Sequence, residues 1–279
     1  MRIRSTLRAA SALTVTLALA ACGDAAPTGN PVSASVAAAT TLDVATIAGD
    51  AATEDVETFK VNRGALGFAQ FADFERFGRW DPCPYDGTAA RFICAPKARG
   101  PFSATRSYAY ADAAGAAQSA YGATTTASAN FRWTLAGTIT RRRWSGTVAR
   151  ERDVTLSGLL SSNSTITVNG TGSTERQRTR FAKDGVDGAN AIAREYELEG
   201  SAVLKDVVTA AIRLPDAWPA SGTITRNHSV TRIDAVNGTR ITTRTSVVTF
   251  NGTQFVPLTV NGTEFTLDLA TGTVTPKAS

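Results

Sequence analysis

From about residue 100 to the C-terminus, apolar and polar side chains alternate one for one in runs punctuated by glycine. Phe131, Trp133 and Leu135 alternate with Arg132, Thr134 and Ala136; Val154 and Leu156, then Ile166 and Val168, keep the same period. A period of two sends successive side chains to opposite faces, as a half-buried strand requires. Thr, Val and Ile are abundant here, and strong helix formers are sparse. The expectation is an all-β domain of roughly ten to twelve antiparallel strands joined mostly by short hairpins. So many strands rarely stay flat, which points to a large meander in a curled sheet, an incomplete barrel or a sandwich. A short helical or irregular N-terminal segment is expected before it. The strands lack a continuous outward apolar band between aromatic girdles, and arginine occurs on many of them, which argues against a membrane barrel.

Two sets of residues suggest strand registers. Arg176, Arg178 and Arg180 alternate along one run, Glu195, Glu197 and Glu199 along another, and Asp187-Gly188 lies between as a favoured two-residue turn. Centring the hairpin on that turn pairs 176 with 199, 178 with 197 and 180 with 195, opposite charges face to face. Phe181, Tyr196 and Leu198 then fall on the other side, towards a core. Each exposed pair contributes only about 0.2–1 kcal/mol, so such a ladder would fix register more than stability. Further on, Asn237-Gly238, Asn251-Gly252 and Asn261-Gly262 are turn signals. Around the last, Val256, Leu258 and Val260 are expected to face Phe265 and Leu267, with Glu264, Thr266 and Asp268 pointing away.

The strands expected at 223–233 and 239–249 carry Thr, Ser, Asn or Arg on both faces. A strand polar on both sides adds little to a dry core. The readings are a solvated, threonine-laddered surface, or a face that meets a polar partner or a filled cavity. Gly137-Thr138-Ile139-Thr140-Arg141 recurs as Gly222-Thr223-Ile224-Thr225-Arg226, which suggests a duplicated meander, although threonine-rich strands produce such matches by chance.

At the other end of the chain, Arg2, Arg4 and Arg8 lead into an apolar run from Ala9 to Ala21. That run is too short to span a bilayer and ends in small residues suited to a signal peptidase. Leu19-Ala20-Ala21-Cys22 resembles the lipobox of bacterial lipoproteins, in which Leu and a small residue or two precede Cys. The resemblance implies that residues 1–21 are a signal peptide and that Cys22 is diacylated on sulfur and becomes the first mature residue. It implies a protein of the cell envelope and periplasm, bound to the membrane through the lipid on Cys22. Gly23 is not the Asp that often retains lipoproteins in an inner membrane, which favours the outer membrane in a Gram-negative cell. Two or more acyl chains give stable anchoring where one is marginal.

Export changes the meaning of composition. The 279 residues hold 29 Lys+Arg against 24 Asp+Glu, and loss of Arg2, Arg4 and Arg8 with the signal leaves 26 against 24. The near-balance argues against nucleic acid as a partner, because a binder needs a dense basic face. With Cys22 acylated, Cys83 and Cys94 remain as an even pair in an oxidising compartment, on either side of the turn signal Asp86-Gly87. A disulfide across the neck of that hairpin is expected, in preference to a metal site built from two Cys and one His. Residues 22–50, beginning at the acylated Cys22, read as a flexible tether, and 51–100 as an N-terminal segment before the β domain at 101–279. Within that segment Thr53 reads as a cap for a short helix over 53–62, with Glu54, Asp55 and Glu57 in its first turn. Phe68, Phe71, Phe74, Phe77 and Trp80 follow at every third position, a helical segment or turn over the sheet, or a membrane or ligand contact.

Nothing in this pattern names an activity. His228 lies in an ordinary alternating run with no nucleophile elbow before it, so a Ser-His-Asp triad is disfavoured. Glu151 and Asp153 share a strand face, as many solvated pairs do, and a carboxylate-based hydrolase is a distant alternative. No phosphate-cradling glycine loop or metal-ligand cluster is present in the sequence, and no cofactor is expected. The expected function is non-catalytic binding of an envelope protein, or a structural role. The alternative is a carrier that shelters a lipid or other apolar molecule against a concave face lined by Phe131, Trp133 and Trp144.

Overall fold

The computed structural model describes residues 34–59, 82–140, 144–180, 194–211, 217–234 and 238–277. The expectations for the signal segment, Cys22, the aromatic series at 68–80, and the turn residues Asp187-Gly188 and Asn237 fall outside them, as does the side chain of Trp144. Helix α1 covers Ala34–Phe59. It is followed by the short strands β1 (Tyr85–Asp86), β2 (Arg91–Ile93), β3 (Lys97–Arg99) and β5 (Ala117–Gln118) around the longer β4 (Phe102–Ala111). The body of the sheet is β6 (Ser128–Thr140), β7 (Trp144–Ser157), β8 (Thr165–Arg180), β9 (Arg194–Ala210), β10 (Ser221–Asp234) and β11 (Gly238–Thr249). Strands β12 (Phe255–Val260), β13 (Thr263–Asp268) and β14 (Val274–Pro276) complete it.

Among the described residues all fourteen strands lie in one antiparallel sheet, ordered β1-β2-β4-β6 and then β7 to β14 in sequence, with β3 and β5 pairing only with β4. The path ends at β1 and β14 without closing, so the all-β, curled-sheet expectation describes the fold, and the sandwich alternative does not. The strands beyond the expected ten to twelve are pieces of two or three residues. The two short repeats occupy unlike places, Gly137 late in β6 and Gly222 at the start of β10, so they do not mark equivalent strands.

One face of the sheet is continuous core. Phe131, Trp133 and Leu135 of β6, Val154 and Leu156 of β7, Ile166 and Val168 of β8, and Leu198 and Leu204 of β9 are all buried. In β9 the inward set changes parity between Leu204 and Val207, where Val168 and Gly170 of β8 face Val207 and Leu204. Asp206, at φ 51°, absorbs the extra residue, and its N–H donates to Asn169 Oδ1 at 2.7 Å. The bulge keeps Val207 and Thr209 inside, both under 4 % exposed. The outward face is polar and laced by threonines, such as the Thr105–Thr134 hydroxyl pair at 2.7 Å.

The charge ladder is corrected by one residue. Arg176 lies opposite Leu198, Gln177 opposite Glu197 and Glu175 opposite Glu199. Because side chains alternate, that single step turns Arg176 to the inner face and leaves Glu197 and Glu199 outside. Glu197 and Glu199 are exposed and Tyr196 and Leu198 buried, as expected, but Arg176 is only 5 % exposed. Its carboxylate is Glu54 of α1, at 3.7 Å. The physical reason is parity within β8: Ile166 and Val168 are inward, and Arg176 shares their even positions. Burying two aliphatic side chains outweighs exposed pairs of a few tenths of a kcal/mol each.

The tether expectation for 22–50 gives way from residue 34 onward to the 26-residue α1, and the cap expected at Thr53 lies well inside that helix. Val44, Ala45, Ile47, Ala48, Ala51, Ala52 and Val56 form its buried stripe at helical spacing. Most are alanines, which let the helix lie close on β11 to β14, while its acids reach Arg150 and Arg152 of β7, Arg176 of β8, Tyr196 of β9 and Arg226 of β10. Among the described residues no helix is long and apolar enough to cross a membrane. Two hairpins match their sequence signals. Asn261 (φ 46°) and Gly262 (φ 82°) make the two-residue turn between β12 and β13, and Leu258 faces Phe265, as Val256 faces Leu267. Asp86 Oδ1 accepts from the N–H groups of Thr88 and Ala89 in the β1–β2 turn. Below it the sulfurs of Cys83 and Cys94 lie at bonding distance, 2.04 Å. A loop of this length is tightened by roughly 3 kcal/mol when closed by a disulfide.

Candidate functional site

The middle of the inner face is the part that a dry core does not explain. Arg150, Arg152, Arg176, Arg226 and His228 are each under 9 % exposed there. The strand register arranges them in two rows. One reads Trp133, Arg152, Gly172, Ala202, Arg226 and Ser246 across β6 to β11; the next reads Leu135, Arg150, Thr174, Gly200, His228 and Arg244.

Small residues between the long ones give the side chains room to lie flat. A Cβ at Gly172 would meet Arg152 Cδ at 2.5 Å and the Glu151 carbonyl oxygen at 2.4 Å. A Cβ at Gly200 would meet His228 Nδ1 at 2.5 Å. The Arg152 guanidinium thus crosses Gly172, donating through Nη1 to the carbonyls of Glu151 and Ser173 at 2.8 and 3.0 Å. It also lies over the Trp133 ring, 5.8 Å from its centre.

Helix α1 supplies the counter-charges. Asp55, 1 % exposed, accepts from Arg152 Nε at 3.3 Å and from Arg226 Nη2 in a shorter bond. Glu54 accepts from Arg150 Nη2, and Asp43 from the Tyr196 hydroxyl. Burial alone would raise both helix carboxylates, but the facing arginines hold Asp55 and Glu54 below the usual carboxylate range. Burial, only partly offset by Asp55, brings Arg226 down to about 10. Burial, followed by the charges of Arg226, Arg176 and Arg152, pushes His228 down to about 4, so its ring is neutral at pH 7.

Beyond Asp55 the donors outnumber the acceptors. On β10 and β11 the pairs Arg226–Ser246 and His228–Arg244 form a square of neighbouring inward positions. Arg226 Nε and Nη1, both ring nitrogens of His228, Arg244 Nε and Ser246 Oγ are buried without a hydrogen-bond partner. An unpartnered buried donor costs about 1–3 kcal/mol, more when charged. Six unpartnered polar atoms at one place, five of them able to donate, are not a packing accident of the usual kind.

These are the two strands that read as polar on both faces. The solvated reading is corrected for their inner side at Arg226, His228 and Ser246, which are buried, with Arg226 meeting Asp55 of the helix. Ordinary alternation hid the site; the signal was the pair of polar inward positions, Arg226 and His228, between Ile224 and Val230. The other sequence candidates do not converge. Glu151 points outward, and Asp153 on the same side is taken up by Arg132 Nε at 2.8 Å and Asn130 Nδ2 at 2.6 Å. His228 has neither a serine nor a carboxylate hydrogen-bonded to it among the described residues. Groups of His, Cys, Asp and Glu suited to a metal are absent among them. Phe131 and Trp133 do lie on the inner face, each 2 % exposed, and Phe131 stacks with Tyr108 and through it with Phe92. No protein-family model, curated protein or solved structure matches the chain.

Proposed function

We propose that this chain is a lipid-anchored protein of the bacterial cell envelope, held at Cys22, whose role is non-catalytic binding. The anchor rests on Arg2, Arg4, Arg8 and the Leu19-Ala20-Ala21-Cys22 stretch. The observation that carries the binding role is the filled interior: α1 packs on the inner face of β11 to β14, and its acids pair with inward arginines of the neighbouring strands. The polar outer face is then the surface offered to an envelope partner. In a Gram-negative cell the outer membrane is the membrane concerned.

Labelling cells with an alkynyl palmitate tests the anchor. Label on the wild-type chain that disappears in Cys22→Ser supports it; an unlabelled wild-type chain refutes it. Native mass spectrometry of the full chain, released without detergent as Cys22→Ser, tests the role. A clean protein mass supports partner binding, and a reproducible extra mass of lipid size supports the carrier reading. One observation favours that second reading: the sheet is open, so moving α1 exposes the inner face without breaking any strand pairing.

A further inference from the structure

We infer that the square formed by Arg226, His228, Arg244 and Ser246 on the inner face of β10 and β11 is a binding site for the oxyanion head of an apolar ligand, a carboxylate or a phosphate on an acyl chain. The inference rests on the carrier reading and names the chemistry such a carrier would select. Its basis is a mismatch of donors and acceptors. Arg226 shares the single carboxylate of Asp55 with Arg152, so two buried guanidiniums answer one negative charge. Arg244, beside His228, adds a third cation, whose one side-chain hydrogen bond among the described residues is a 3.4 Å contact to the carbonyl of Thr243. Its Nε, with Arg226 Nε and Nη1, His228 and the Ser246 hydroxyl, lacks an acceptor.

An oxyanion brings what is missing: several lone pairs and one or two negative charges. Charged N–H groups from two arginines, a neutral imidazole N–H and a hydroxyl form a donor set suited to a compact, acceptor-rich group. The surroundings suit an apolar tail. Ile224, Val230 and Val248 flank the square on the same two strands, and all are fully buried. A catalytic reading gains nothing here, since neither a nucleophile–base pair nor a metal-ligand group is present among the described residues.

The test uses the full chain carrying Cys22→Ser, with four probes: dodecanoate, dodecyl phosphate, dodecanol and inorganic phosphate. Binding is followed by calorimetry and by thermal shift. One or both anionic amphiphiles should bind at least about tenfold more tightly than dodecanol, the ratio that one charge-assisted hydrogen bond supplies. Their relative affinities tell a carboxylate from a phosphate head. Arg244→Gln and Ser246→Ala break no ion pair of the free protein, so both variants should fold. Each should cut anionic affinity about tenfold and leave dodecanol binding unchanged. Equal affinity for dodecanoate, dodecyl phosphate and dodecanol would overturn the oxyanion site while leaving an apolar carrier standing. If no amphiphile binds, the carrier reading fails and inorganic phosphate decides the site. A saturable thermal shift lost in Arg244→Gln keeps it as a site for a free anion, and no shift overturns it.

Discussion

Asp55 is the point at which the helix and the sheet depend on each other most. Replacing it with Asn keeps the shape and one acceptor but removes the only carboxylate within reach of both Arg152 and Arg226 among the described residues. Those guanidiniums are 1 % and 2 % exposed, so water cannot take over the role. Breaking a buried ion pair by removing one partner typically costs 3–5 kcal/mol, and the residual amide bond places Asp55→Asn near about 3 kcal/mol. Against a total stability of order 5–15 kcal/mol that is a large fraction. At a urea slope of about 3 kcal/mol per molar, the unfolding midpoint should fall by about 1 M, read by circular dichroism. The companion variant removes the charges together, as Asp55→Leu with Arg152→Met and Arg226→Met. It should lie within about 1 kcal/mol of the wild type, because desolvating three ions cancels most of their attraction. A shift under about 0.3 M for Asp55→Asn, or an equal loss in the triple variant, would refute the view that uncompensated burial of charge sets the cost.

Acid should weaken the fold in two stages. His228 has a folded pKa near 4 against 6.5 unfolded, so the unfolded chain binds more protons between those values; its contribution is intact above pH 6.5 and is lost as pH falls towards 4. The loss between pH 7.5 and 5 is about 2 kcal/mol, and urea midpoints in His228→Gln should be flat over that window. Asp55 and Glu54, both lowered, add a second loss below the ordinary carboxylate range, which Asp55→Asn should reduce. Gly172→Ala should cost more than about 1 kcal/mol, because the new Cβ meets the Glu151 carbonyl oxygen at 2.4 Å. Gly87→Ala, with nothing within 4 Å, is the control and should stay within about 0.5 kcal/mol in the same melts. Cysteines at Gln177 and Glu197, which face each other, should crosslink on oxidation, whereas the pair Gln177 and Leu198 should not; the reverse outcome would restore the charge-paired register.

What could be read from the residues was local. The Asn261-Gly262 turn, the apolar set 256, 258, 260, 265 and 267, and the Cys83–Cys94 hairpin each depend on neighbours within a dozen positions. The register of β8 on β9 is not legible locally, because the arginines and glutamates complement each other in sequence while Arg176 pairs with Glu54 on a helix. The signal that would have decided it was present. Ile166, Val168 and Arg176 share parity with Gly170 and Gly172, so an inward aliphatic start commits the arginine inward as well. The helix was missed for a related reason. Alanine, serine and threonine between 34 and 50 look like a tether when bulk is the criterion, yet small side chains are what let a helix lie close on a sheet. Glu54 and Asp55 look like first-turn acids, but they sit near the C-terminal end of α1, where the helix dipole disfavours negative charge by a few tenths of a kcal/mol or more. Acids at the wrong end of a helix are a sign that cations wait elsewhere.

That arrangement bears on what the helix is for. A buried ion pair adds little net stability over an apolar contact of the same volume, but it is intolerant of displacement, since a small shift strands two charges. The apolar grip of α1 is modest as well, because most of its buried stripe is alanine. The helix is therefore held in a defined place by Asp43, Glu54 and Asp55 on β7, β9 and β10, beside the modest apolar contact it makes with β11 to β14. Its departure would break no backbone bond of the sheet but would leave Arg152 and Arg226 without their carboxylate. An entering oxyanion lowers that cost by supplying the acceptor and the charge the helix takes away. In such a carrier, ligand entry and helix release would be coupled through the same two arginines. A neutral ligand of equal apolar area would leave those guanidiniums unpaired, so the specificity of such a carrier follows from the same charges that seat its helix.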